Sequence, residues 1–122
     1  MRPVRLVLLV VLALAACGAS QRERTVKATL AAVNETRDAF IVFDRTVQQT
    51  IVDTAPTYER GDAALLRYRV KRVRVVDAFA LAYRAISIAA TVNDDPSVAT
   101  MAAAARAVAD AWRLLKEGDH AP

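Results

Sequence analysis

One cysteine, one histidine and three glycines are spread over 122 residues, and each shortage removes a class of chemistry. A lone thiol, Cys17, closes no disulfide within the chain. A lone imidazole, His120, sits in the polar stretch Asp119-His120-Ala121-Pro122 and cannot build a multi-histidine metal site or a nucleophile–histidine–carboxylate triad. With glycine only at positions 18, 61 and 118, there is no glycine-rich loop to cradle phosphate. Aromatic residues make up 6 % of the chain. The longest apolar run, Leu6 to Ala16, falls well short of the roughly 20 residues a membrane-crossing helix needs. The expectation is therefore a non-enzymatic protein with no cofactor and no metal.

What is present is alanine, arginine and helical periodicity. Alanine-rich, glycine-poor composition favours helices over sheets. The basic excess is mostly arginine, and the net charge is +4. Two of those positive charges, Arg2 and Arg5, lie before the apolar run. A basic start, a 7–15-residue apolar centre and small residues at its end describe a secretory signal peptide. Ala13-Leu14-Ala15 offers an ordinary A-x-A cleavage site after Ala15. Leu14-Ala15-Ala16-Cys17 offers another reading.

Those four residues resemble the lipobox of bacterial lipoproteins: an aliphatic residue, two small residues and an obligatory cysteine. The resemblance covers only residues 1–17. It implies cleavage between Ala16 and Cys17, a diacylglycerol on the Cys17 sulfur, and often acylation of the new amino terminus. Two acyl chains on one residue meet the physical requirement for stable anchoring, which a single chain does not. The resemblance also implies attachment to a bacterial membrane. Gly18 follows the cysteine where many inner-membrane lipoproteins have aspartate. That implies the periplasmic leaflet of the outer membrane in a Gram-negative host, and the outer face of the cytoplasmic membrane otherwise. An exported protein with little net charge after cleavage is not expected to bind nucleic acid.

The expected organisation is a signal peptide over 1–16, a lipidated polar tether over 17–22, a bundle over 23–118 and a frayed tail over 119–122. The fold class is all-α, an antiparallel up-down-up three-helix bundle. Val26, Leu30, Val33, Phe40, Val47 and Ile51 step by three, four and seven, which predicts helix one over 23–54, interrupted by Arg37 and Asp44. Pro56 ends it, because the residue before a proline is pushed out of the α region. Helix two is predicted from between Pro56 and Asp62, with Asp62 as a candidate N-cap, to about Val92. Its apolar stripe reads Leu65, Val76, Phe79, Tyr83, Ile86 and Ala90, with Leu66, Val73 and Ala80 beside it. Asn93-Asp94-Asp95-Pro96 stops it, and Asp95 is taken as the cap of helix three, 96–117. There Val98, Met101, Ala105, Val108, Trp112 and Leu115 repeat as a coiled-coil-like seam, and Gly118 is the expected C-cap.

The segment RYRVKRVRVV, residues 67–76, alternates like a strand but lies between helical patterns. Read as helix, it places Arg60, Arg67, Lys71 and Arg74 on one stripe. That stripe is either a solvated face or a docking strip for an anionic envelope component such as lipid head groups, lipopolysaccharide or an acidic partner. Arg69 and Arg72 fall toward the packing side, and a hairpin folded at 55–57 sets them opposite Asp38 and Asp44 as an ion-pair layer. On helix three, Ala99, Ala103, Ala107 and Ala111, with Leu114 nearby, form a small-residue outer face that another helix could approach. The functional expectation is a membrane-anchored helical interaction or structural module with a protein partner, the anionic-binding module being the alternative.

Overall fold

A computed structural model describes the backbone of residues 3–122 and the side chains of Gly18 and of residues 20–122. The side chains of the signal peptide, of the cleavage junction after Ala16 and of the lipidation site Cys17 lie outside those described. Three helices follow in order: α1 (Pro3–Thr54), α2 (Tyr58–Val92) and α3 (Asp95–Glu117). No strand occurs among the described residues, and RYRVKRVRVV lies wholly within α2.

Long-range hydrogen bonds define the topology. Those joining α1 to the α2 side bridge 24, 28, 49 and then 71 residues, widening steadily away from the Thr54–Tyr58 turn, as in an antiparallel hairpin. Between α1 and α3, Arg22 meets Asp95, whereas Phe40 and Phe43 meet Trp112, so both helices advance in the same direction. The bundle is up-down-up, as the short connections predict.

Local chemistry sets the turns. α1 ends before Ala55-Pro56, where the sequence pattern places its end. The cap of α2 is Thr57 rather than Asp62: Thr57 has extended backbone, and its side chain accepts from the Arg60 N–H at 3.2 Å. Gly61 is buried in that first turn, where an added Cβ would stand 3.2 Å from the Ala55 Cβ. A close approach of turn to helix, not a weak helix start, accounts for this glycine.

At the other end Asn93 is left-handed, with φ 53° and ψ 48°, and closes α2 through its N–H to the Ala89 carbonyl. The cap of α3 is Asp94 rather than Asp95. Its carboxylate accepts from the Ser97 N–H at 2.8 Å, and bonding to Ser97 holds its pKa below the usual aspartate value. Asp95 instead turns back to Arg22. This contact also revises the tether: residues 18–22 are helical, continuous with α1, because Arg22 reaches Asn93 and Asp95 across the bundle end.

A seven-residue step runs through the core of all three helices. Val26, Val33, Phe40 and Val47 on α1 face Gly61, Tyr68, Val75, Ala82 and Ala89 on α2, and Met101, Val108 and Leu115 on α3. Such a repeat keeps one seam facing its partners as the helices wind around each other. The stripes predicted for α1 and α3 largely hold, although Leu30 is exposed. The one for α2 is turned by about one position. Phe79 and Ile86 are buried and Leu65 and Tyr83 half-buried, but Leu66, Val73, Val76, Ala80 and Ala90 face out. Ala64, Ala82, Ala85 and Ala89 take the inner face instead. Small residues on that face let the neighbouring helices come near. Large aliphatics on the outside are the consequence. They also explain why an 18-residue window of α2 reaches a mean hydropathy of 1.6 while only a third of it is buried in the bundle.

Candidate interaction surface

Tyr68 is completely buried, so its hydroxyl needs a partner inside the protein. It donates to Asp44 Oδ1 at 2.9 Å. A part-buried carboxylate needs compensation in turn, and Arg72 supplies it with two bonds, Nε to Oδ1 at 2.8 Å and a terminal nitrogen to Oδ2 at 3.0 Å. The guanidinium also lies 5.8 Å from the Phe40 ring centre. This node is half of the expected ion-pair layer. Arg69 and Asp38 do not belong to it: Arg69 is exposed beside Asp44 and Arg45 in an open groove, and Asp38 makes only a 3.8 Å contact with neighbouring Arg37. The reason is the rotation of α2, which aims position 72 inward and position 69 to solvent. Burial, and then the bond to Asp44, push the Tyr68 hydroxyl above its ordinary pKa. Arg37, the other charge in the α1 stripe, is exposed and lies 5.7 Å from the Tyr83 ring centre, while the Tyr83 hydroxyl donates to Asn34.

The tail lies folded back against the bundle end. His120 Nε2 lies 2.7 Å from the Leu115 carbonyl oxygen, and its ring stands edge-on to Tyr68 and Phe43, 5.0 and 6.1 Å between centres. Nδ1 is buried with no hydrogen-bond partner. Gly118 ends α3 with extended backbone rather than a left-handed cap, its N–H bonding to the Leu115 carbonyl at 3.3 Å. An added Cβ there would meet the His120 ring at 3.1 Å. α3 is shorter than the α1–α2 hairpin, and the tail covers part of the apolar surface left beyond its end. Nothing in the order of residues 119–122 announces this, since the docking site is assembled from Phe43 and Tyr68, far away in the chain. Trp112 sits half-buried against Phe40 and Phe43, with the Lys116 ammonium 4.8 Å from its ring centre.

The basic stripe forms as the spacing predicts. Arg60, Arg67, Lys71 and Arg74 are all exposed. Among the described residues none of the four has an acidic side-chain partner, a property they share with Arg24, Arg45, Arg69, Arg84, Arg106 and Lys116. Lys71 differs from the three arginines in that its ammonium donates to the Asp119 backbone carbonyl at 2.8 Å. Along the seam of α2 and α3 run two open grooves, the first of them bordering the strip at Lys71 and Arg74. One, of about 460 Å³, is lined by Val70, Arg74, Ala107, Asp110 and Leu114. The other, of about 530 Å³, is lined by Leu81, Arg84, Ile88, Thr100 and Ala103. Val70, Leu81 and Leu114 are 67, 62 and 60 % exposed. The alanine face of α3 is thus flanked by outward aliphatics of α2. No group of three or more metal-ligating side chains occurs among the described residues. Comparison with family models, curated proteins and solved structures returns no match.

The node supports two quantitative expectations. Arg72→Leu should cost about 1–3 kcal/mol, because it strands the part-buried Asp44 carboxylate. Combining it with Asp44→Asn should cost clearly less than the sum, while Asp38→Asn should combine additively with either. Urea titrations of the three single and three double variants read this directly, and additivity throughout would dissolve the node.

The second expectation concerns alkaline pH. Because folding raises the Tyr68 pKa, its stabilising contribution is complete below the unfolded value and falls as pH climbs toward the folded one. Tyr68→Phe should cost about 1–2 kcal/mol near neutrality. The advantage of the native tyrosine should shrink by about 1.4 kcal/mol for each pH unit above about 10. Denaturation midpoints of both proteins at about pH 7 and pH 11 check the sign.

Proposed function

We propose that the protein is a membrane-anchored envelope lipoprotein whose bundle acts as a non-enzymatic interaction module. The observation that carries the anchor is Leu14-Ala15-Ala16-Cys17, whose first three residues close an 11-residue apolar run that follows Arg2 and Arg5. Acylation would consume the only thiol in the chain and hold the amino-terminal end of α1, together with the α2–α3 turn that packs beside Arg22, nearest the membrane. The module reading draws on the α2–α3 seam. Its grooves, its alanines and its outward leucines suit the apolar face of a partner's helix. In a Gram-negative host the anchor would stand in the periplasmic leaflet of the outer membrane, and in another host on the outer face of the cytoplasmic membrane.

Cys17→Ser tests the anchor, since serine supplies no thiolate for the thioether. The variant should lose all labelling by a fatty-acid probe and either persist as an unprocessed precursor or leave the membrane fraction. Labelling equal to that of the native protein would reject the lipoprotein reading.

A second reading is favoured by one observation: Arg60, Arg67 and Arg74 repeat every seven residues on an exposed face and lack acidic partners among the described residues. On this reading the strip engages an anionic envelope component through its phosphate or carboxylate groups. Binding of protein lacking residues 1–17 to bicelles containing phosphatidylglycerol should then weaken steeply as salt is raised from about 0.05 to 0.5 M. Replacing the three arginines by glutamine should remove that dependence, and an unchanged salt response would reject the strip as the site.

A further inference from the structure

We propose that a second copy of this chain covers the α2–α3 seam, in a symmetric dimer whose two-fold axis runs along the helices. The inference rests on the interaction-module reading above and names its partner. The seam has two unequal walls. On α2, Val70, Leu81 and Ile88 stand exposed and form a ridge. On α3, the wall across from Leu81 and Ile88 is Thr100 and Ala103, and across from Val70 it is Ala107, so it is low until Leu114. A partner that fits must therefore bring a trough for the α2 ridge and a ridge for the α3 trough. A two-fold axis parallel to the helices supplies both, because it lays α2 of one copy over α3 of the other and preserves height along the bundle. Leu81 and Ile88 then enter the low wall at Thr100 and Ala103 of the second copy, and Val70 meets its Ala107 and Leu114. An axis across the helices would set α2 on α2, ridge against ridge.

The charges agree with the shape. Arg74 on α2 and Asp110 on α3 line one groove from its two walls, yet among the described residues neither forms an ion pair. The proposed axis brings Arg74 of each copy to Asp110 of the other, so two ion pairs close across the dimer where the single chain has none. Val70 to Ile88 covers about 27 Å of helix, and a face two helices wide is about 20 Å across. The contact then removes about 1,100 Å² over both copies, above the roughly 1,000 Å² that a specific interface needs. The same axis leaves the amino-terminal ends of both α1 helices at one end of the dimer, as two chains anchored in a single membrane require. Sharing that surface raises the effective concentration of the copies, so a contact of modest area suffices.

The test uses the full chain as the cell processes it, carried with either of two affinity tags in excess detergent. Native chains should co-purify at the mass of a dimer. Arg74→Asp chains should be monomeric, and so should Asp110→Arg chains, because each substitution sets like charges against each other across the axis. Mixed together, the two variants should form a heterodimer, since both cross-copy contacts are then opposite in charge again. A rearrangement inside one chain would not give that result. Leu81→Asp, at an exposed position, should keep the helical circular dichroism and weaken the dimer roughly tenfold or more. A native chain that stays monomeric, or charge variants that do not pair on mixing, overturns the proposal. A photo-reactive side chain in place of Leu114, activated in intact cells, separates this failure from that of the wider reading. Adducts at the mass of a dimer support the proposal. Adducts of another mass alone overturn it and leave the interaction module standing, and the absence of any adduct removes both.

Discussion

A tyrosine ring placed at the centre of a helical interface brings its hydroxyl along, and the energetic demand of that one polar atom organises the middle of this bundle. Tyr68 occupies the seven-residue core step of α2, where Gly61, Val75, Ala82 and Ala89 are its counterparts. Inside the bundle the hydroxyl has Asp44 within reach, and Asp44 in turn requires Arg72. The three residues come from two helices and fit only one register and one rotation of α2 against α1. A half-satisfied version would be worse than an apolar contact. Polar satisfaction thus does for orientation what apolar burial, being non-directional, does not.

The rotation has consequences on the far side of the helix. Once position 68 points inward, positions 60, 67, 71 and 74 point to solvent, and the arginine strip follows without any interaction of its own. The same turn of the helix carries Val70, Leu81 and Ile88 outward, next to the alanines of α3. Core and surface are therefore one decision. The face that looks adapted for contact is the complement of the face that packs, and both are set where Tyr68 meets Asp44.

The floor on which the tail rests belongs to the same centre. The Tyr68 ring gives its hydroxyl edge to Asp44 and another edge contact to His120, so the node and the tail share one aromatic side chain. α3 ends at Glu117 while the α1–α2 hairpin continues past it, which leaves an apolar notch lined by Phe43, Val47 and Ile51. Four residues beyond Gly118 suffice to cover part of it. Through Asp119 and His120 this one tail touches both exposed Lys71 and buried Tyr68.

Much was legible from the order of residues. Pro56 and the Asn93–Pro96 run announce the turns, because a proline restricts the residue before it and an asparagine tolerates the left-handed region. The heptad of α3, with Val98, Met101, Val108 and Leu115, marks a seam because nothing else on that helix competes for the core. The spacing of Arg60, Arg67, Lys71 and Arg74 defines a stripe from helical geometry alone. α2 was different. It carries apolar residues on nearly every side, so periodicity admits more than one inner face, and choosing the larger aliphatics selects the wrong one. Only the packed structure decides it, since two neighbouring helices must both come close and alanine is what allows that. Tertiary structure likewise decided which arginine meets Asp44, and that the tail closes over the end of α3. Each depends on side chains tens of residues apart arriving at the same place, which no local pattern records.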